Sequence, residues 1–204
     1  CDMKSIKELS EKYGFLIVED ASHALGGKYF EDYVGSCRYS SITVFSFHPV
    51  KIITTGEGGI ATTNCEILSE KMRLLRSHGI VKDQKKFFSS TNAPWAYEQQ
   101  ILGFNYRMTD FQAALGLNQL KRINKIIKKK YHIGNYYYKY FKDLKNIILQ
   151  PNKLSYSKNI YWVFGIVLKR NNKKKINEVI KRLAKKNIGT RPFFWPMHKQ
   201  DAFK

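Results

Sequence analysis

The pattern of apolar and polar positions alternates between a helical period and short buried runs. Residues 1–14 (CDMKSIKELSEKYG) place Met3, Ile6 and Leu9 at helical spacing and end on Gly14, which predicts a helix and its stop. Residues 15–20 (FLIVED) form an apolar run closed by two acids, the pattern of a buried parallel strand. A helix followed by such a strand predicts an α/β layer, in which ligands gather outside the carboxyl ends of the strands. Asp20 lies at that end. Residues 40–47 (SSITVFSF) predict a second strand with Ser46 near its end, and 58–63 (GGIATT) a third. In 65–79, Ile67, Leu68, Met72 and Leu75 recur at helical spacing before Gly79. Residues 80–100 have little periodicity and hold Pro94-Trp95, which predicts a long loop of the kind that is often functional. A helical pattern then runs through 108–144, predicting one long helix bent near Gly134, with Thr109 or Asp110 as its cap.

Turn residues and Pro151 mark a boundary near 145–158. Beyond it, 161–170 (YWVFGIVLKR) predicts a strand, 173–187 a helix, and 189–198 (GTRPFFWPMH) an extended, proline-bounded segment. The expected division is residues 1–145, part of a large, mostly parallel α/β/α domain with its long connecting helix, and 146–204, an incomplete smaller α/β domain.

Composition changes this picture little. With 204 residues and 43% hydrophobic content, the chain is expected to fold around a sizeable core. No apolar run approaches the roughly 20 residues needed to cross a bilayer, and no signal-peptide pattern follows Cys1. Three cysteines, with no C-x-x-C pair, argue against a disulfide framework or a zinc site and fit a reducing cytoplasm. The formal charge of +20 could mark nucleic-acid binding. The excess concentrates after about residue 120, in stretches such as KIIKKKY and NNKKKIN on amphipathic helices, where lysine covers a solvated face. No nucleic-acid partner is therefore expected, and attraction to small anions is the milder consequence.

Residues 46–59 (SFHPVKIITTGEGG) carry the candidate chemistry. Lys51 sits between a strand end and a turn containing Gly56, Gly58 and Gly59, which permit tight backbone and close approach. The order of residues does not make a phosphate-binding P-loop. Lys51 is thus either a solvated turn lysine or an amine fixed for covalent work, a Schiff base to a carbonyl. Asp20 is either a cap or ion-pair partner or, beside such a lysine, the carboxylate that pyridoxal phosphate needs against its pyridine nitrogen. His23 could hydrogen-bond the ring hydroxyl of that cofactor or satisfy a local carbonyl.

Together, EDASHALG (19–26), VFSFHPVKIITTGEGG (44–59), RSHGI (76–80) and GFNYRMTDFQAALGLNQL (103–120) resemble the DegT/DnrJ/EryC1/StrS family of pyridoxal-phosphate-dependent nucleotide-sugar aminotransferases. The resemblance implies a fold-type-I transferase. It implies that Lys51 forms the Schiff base and shuttles the proton, and that Asp20 partners the pyridinium. It places His23 beside the ring hydroxyl, Ser46 on the phosphate, and Asn105 on the cofactor phosphate of a neighbouring subunit, hence a homodimer. Residues 20–27, 46–51 and 94–110 resemble aminotransferases of the pseudaminic acid pathway acting on UDP-linked 4-keto-6-deoxy sugars. Residues 190–198 resemble the GDP-perosamine synthase group, with Arg191 and His198 as possible substrate contacts, or else a surface arginine and a capping histidine. Both groups aminate C4 of a 4-keto-6-deoxy nucleotide sugar, with L-glutamate as the implied donor.

The family carries a phosphate-binding turn and a ring-stacking aromatic ahead of the region that matches Cys1, so the chain is expected to be a fragment. The alternatives are a dehydratase of the same family, in which histidine replaces the lysine, an inactive fragment, or a basic nucleotide-binding module.

Overall fold

The computed structural model describes residues 1–91, 93–152, 154–169, 173–194 and 196–203. In chain order the elements begin with α1 (Met3–Tyr13), β1 (Val18–Asp20), β2 (Lys28–Tyr29), β3 (Asp32–Tyr33), β4 (Ile42–Ser46), β5 (Gly59–Thr62) and α2 (Glu66–Arg76). They continue with β6 (Ile80–Val81), β7 (Glu98–Gln99), α3 (Asp110–Leu120), α4 (Ile123–Phe141), β8 (Ile147–Leu149), β9 (Ser157–Lys158), β10 (Ile166–Leu168) and α5 (Lys173–Ala184). Two compact units result: Cys1–Tyr131 with Lys153–Trp162, and His132–Asn152 with Val163–Lys204.

In the first unit, β1 and β4 pair in parallel with Asp20 opposite Val44, and β5 runs antiparallel to β4. The order β1-β4-β5 leaves β1 at an edge of the sheet. Only Val18–Asp20 of the expected strand 15–20 is in β-structure, and its burial alternates: Ile17 is buried while Leu16 and Val18 are exposed. Only one face of this stretch is packed, which is the difference from a fully buried strand.

Below the ends of β1 and β4 lies the main core. Ala21, Phe45, Phe47, Ile52, Ile53 and Ile160 form it, and Met108, Ile123, Ile126 and Ile127 pack on it. A smaller cluster, Met3, Ile17 and Tyr29, holds α1 against the chain that follows β1. There the Tyr29 hydroxyl donates to Asp2 at 2.8 Å, and Asp2 also caps α1 through Ser5.

The helical pattern of 108–144 resolves into two helices. Thr109 caps α3 in a capping box with Gln112, and the break falls after Leu120 rather than at Gly134, which is buried inside α4. The two helices serve different surfaces. α3 faces the turn after β4, whereas Ile123, Ile126 and Ile127 of α4 face the core. Close approach also requires Gly26, at φ +83, since a Cβ there would overlap the Ile127 side chain.

Residues 80–100 are less irregular than their composition predicts. β6 and β7 pair antiparallel, and the Glu98 carboxylate accepts from the Phe88 and Ser89 N–H groups at 2.7 and 2.8 Å.

The second unit contains the antiparallel pair β8 and β10, with Gln150 bonded to Gly165 and Val163 across it, and α5. The expected strand 161–170 is strand only at Ile166–Leu168. Tyr161 and Trp162 belong to the first unit, beside Ile160. Arg170 of that run, Asn171-Asn172 of the lysine-rich stretch and Trp195 of 189–198 lie outside the described residues.

Ile53 is 1% exposed at the centre of the main core. Ile53→Ala should lower the unfolding free energy by about 2–5 kcal/mol, read as a fall in the urea midpoint at constant slope. A change within about 0.5 kcal/mol would show that this core does not support the turn.

Candidate functional site around Lys51

The parallel pairing of β1 and β4 brings both carboxyl ends out on one side, with Asp20 at the first and Ser46 at the second. His23 follows β1 by a short turn, and Lys51 follows β4 by another. The Lys51 ammonium lies 2.7 Å from Nε2 of His23. An ammonium can only donate, so Nε2 accepts and the imidazole proton sits on Nδ1.

Why the lysine is held there follows from its neighbours. Ile52 and Ile53 are buried, fixing the chain immediately after it. The Thr55 N–H and the Thr54 hydroxyl both donate to the Phe47 carbonyl, each at 2.9 Å, closing the turn on its own start. α3 clamps it from outside: Gln119 accepts from the Thr54 N–H at 3.2 Å, and Gln112 donates to the Glu57 carbonyl at 2.9 Å. Gly116 makes that approach possible, since a Cβ there would stand 2.9 Å from the Thr55 methyl. The sequence predicted a structured turn, and the clamp by α3 is what structures it.

A residue that sequence reasoning passed over completes the cluster. Trp162 stacks on His23 with ring centroids 3.6 Å apart and planes 4° from parallel. Its indole N–H donates to the Val50 carbonyl at 2.8 Å, and Lys51 Nζ lies 4.9 Å from the ring centre. Trp162 sits in a run that reads as a continuous strand, so only the aromatic itself could have marked it. His23 is engaged by Lys51 and Trp162.

Electrostatics follow from this packing. Burial pushes the His23 imidazole below its ordinary value, the Lys51 charge adds to that, and Asp20 opposes it. Hydrogen bonds from Ser22, side chain and backbone, hold the Asp20 carboxyl below its usual range, with His23 and Lys51 contributing further. Asp20 therefore stays ionised and His23 neutral near pH 7. Lys51 forms no salt bridge to a carboxylate among the described residues; its partners are an imidazole and an indole face.

The other sequence candidates lie elsewhere on the chain. Ser46 is half-buried and accepts from the His48 N–H at 3.4 Å, at the start of the Lys51 turn. Asn105 is exposed in an isolated bridge with Ser77, between α2 and α3, and no bond joins it to Lys51 among the described residues. Arg191 and His198 are exposed residues of the second unit, His198 within a 3-10 turn.

Residues 1–204 match the DegT/DnrJ/EryC1/StrS aminotransferase family. The chain belongs to this family. It is 36% identical to the GDP-perosamine synthase of Caulobacter vibrioides, over 97% of the chain and 50% of that protein. It is likewise 36% identical to a UDP-4-amino-4,6-dideoxy-N-acetyl-beta-L-altrosamine transaminase of Campylobacter jejuni, over 100% of the chain and 51% of that protein. Among solved structures, PseC of Helicobacter pylori, an aminotransferase of pseudoaminic acid biosynthesis, superposes with a TM-score of 0.87 at 30% identity, covering the whole chain and 52% of PseC. The fold is that of the fold-type-I sugar aminotransferases, as the sequence resemblance predicts. The chain spans about half the length of the curated relatives it matches.

In a pH titration followed by NMR, His23 should titrate below 6.5, its ordinary value. Lys51→Met should move it up, and Asp20→Asn further down. The unfolded chain then binds that proton more readily than the folded one, so acidification through this range should favour unfolding. A midpoint above 6.5 that ignores Lys51→Met would rule out the contact.

Proposed function

We propose that the full-length protein is a pyridoxal-phosphate-dependent aminotransferase that moves an amino group from L-glutamate to C4 of a 4-keto-6-deoxy nucleotide sugar. The observation that carries this reading is the Lys51 amine held against a neutral imidazole, with no salt bridge to a carboxylate among the described residues, at the same sheet end as an ionised Asp20. A lysine fixed only for structure would be expected to pair with an acid or point to solvent.

This donor set fits the cofactor. Bound here, pyridoxal phosphate supplies a carbonyl carbon that takes an amine covalently and a ring that accepts electrons from the neighbouring carbon. Lys51 Nζ would be the attachment point in this reading, and its free amine would be the base that holds and moves a proton beside the donor carbon. The Asp20 carboxylate, kept ionised by Ser22, holds the ring nitrogen protonated. His23 presents its imidazole beside the ring hydroxyl, and Trp162 fixes the plane of that imidazole. Ser46, and Asn105 of a second copy, contribute to the phosphate, so the active unit is a homodimer. Arg191 and His198 remain the candidates for substrate contact.

Several observations support the wider assignment. Similar solved proteins include a putative sugar aminotransferase from Streptococcus pneumoniae captured in its PLP form and PMP form. The named relatives divide between GDP- and UDP-linked sugars, and the proposal takes C4 as the position that receives the amino group in both. Among the described residues no helix is long and apolar enough to cross a membrane. With three free thiols as well, the proposal places the enzyme in the cytoplasm. The domain division proposed is a larger cofactor-binding part, residues 1–145, and a smaller part, 146–204. The dehydratase alternative would need histidine at position 51, and the chain has lysine.

Full-length protein with pyridoxal phosphate, L-glutamate and a UDP- or GDP-linked 4-keto-6-deoxy sugar should yield the 4-amino sugar by mass spectrometry. Lys51→Ala should lower turnover by more than about 1,000-fold. Loss of water without gain of nitrogen, or turnover retained in Lys51→Ala, would overturn the assignment.

A further inference from the structure

Trp162 joins the Lys51 cluster from 112 residues after Val50, and the backbone turns sharply to deliver it. The residue before it, Tyr161, stands at φ +51. A left-handed conformation is uncommon for a bulky side chain and persists only where the surroundings hold it. Here they do. Ile160 and Tyr161 are 3% and 5% exposed. The Asn159 side-chain carbonyl accepts from the Tyr161 N–H at 2.9 Å, and the Tyr161 ring meets Tyr131 of α4 at 5.9 Å between centroids. A tryptophan that only filled the core could be reached along an ordinary strand. The left-handed residue therefore points to a required direction for this side chain.

At its destination Trp162 makes two different contacts. Its ring covers one face of His23, parallel to it and 3.6 Å away between centroids. A stack of this kind leaves the in-plane ring nitrogens open to bonding, and Nε2 accepts from Lys51. The indole N–H donates at 2.8 Å to the Val50 carbonyl, which belongs to the peptide bond leading into Lys51. Buried Ile52 fixes the chain on the other side of that lysine. Lys51 and Asp20 are the charged groups that act on His23, in opposite directions, and burial outweighs both.

We infer that Trp162 is a positioning residue of the Lys51 site, acting through two separable contacts: a ring face that holds the His23 imidazole and an N–H that holds the peptide before Lys51. It takes no proton and forms no bond in the reaction. The inference rests on the reading of Lys51 as the amine that meets the cofactor.

Two variants of the full-length protein separate the contacts. Trp162→Phe keeps an aromatic face and loses the N–H, and Trp162→Leu loses both. In cofactor-free protein, the His23 midpoint followed by NMR should stay below 6.5 in Trp162→Phe and rise towards 6.5 in Trp162→Leu, because water reaches the uncovered face. With pyridoxal phosphate, L-glutamate and the nucleotide sugar, kcat should fall at least about tenfold in Trp162→Phe, with KM for the sugar unchanged. An unmoved His23 midpoint in Trp162→Leu, or wild-type kcat in Trp162→Phe, would overturn the inference. So would a raised KM with kcat intact, the mark of a substrate contact. If Trp162→Leu does not fold, the kcat and KM of Trp162→Phe decide. A wild type that transfers no amino group would sink the reading of Lys51 alone, and the His23 titration would still judge Trp162.

Discussion

The burial of Ile52 and Ile53 is the constraint on which the candidate site depends. These two side chains, 5% and 1% exposed, follow directly after Lys51 and anchor its turn to the core under the sheet ends. A lysine beside two fixed residues loses most of its freedom to sweep through solvent. The backbone bonds from Thr54 and Thr55 to Phe47 then close the loop, and α3 seals it through Gln112, Gly116 and Gln119. The amine is positioned by hydrophobic burial first and by hydrogen bonding second. A residue type that is usually mobile is thereby held in one place.

A polar cluster built on that anchor settles its own protonation. Burial beside Trp162 and the charge of Lys51 both disfavour a second proton on His23. Ser22 disfavours protonation of Asp20. The result is a neutral imidazole and a carboxylate beside the Lys51 amine, the first favoured by burial and the Lys51 charge and the second by Ser22. Such separation of states is what acid–base work at neutral pH requires. The lysine surplus of the chain as a whole is a different matter: it is largely solvated.

Much of this was legible in the order of residues. The runs 15–20 and 40–47 announced neighbouring strands with Asp20 and Ser46 at their ends, and parallel pairing with Asp20 opposite Val44 follows that reading. Gly56, at φ +81, sits in the turn as its residue type suggests. The break between α3 and α4 was hidden because Lys121-Arg122 carries no proline or glycine, whereas Gly134, the visible breaker, is buried inside α4. Trp162 was hidden for another reason. Its partners, His23, Val50 and Lys51, lie more than a hundred residues earlier in the chain, and no local period encodes that contact. The pair β6 and β7 was missed because two-residue strands are too short to show alternation.

The central claim is that Lys51, among the many lysines of this chain, is the covalent anchor of a cofactor. Borohydride treatment of the full-length protein loaded with pyridoxal phosphate, followed by peptide mapping, tests it most directly. The account predicts one stoichiometric pyridoxyl adduct, on the peptide that contains Lys51. Adducts spread over the exposed lysines with Lys51 unmodified would contradict it.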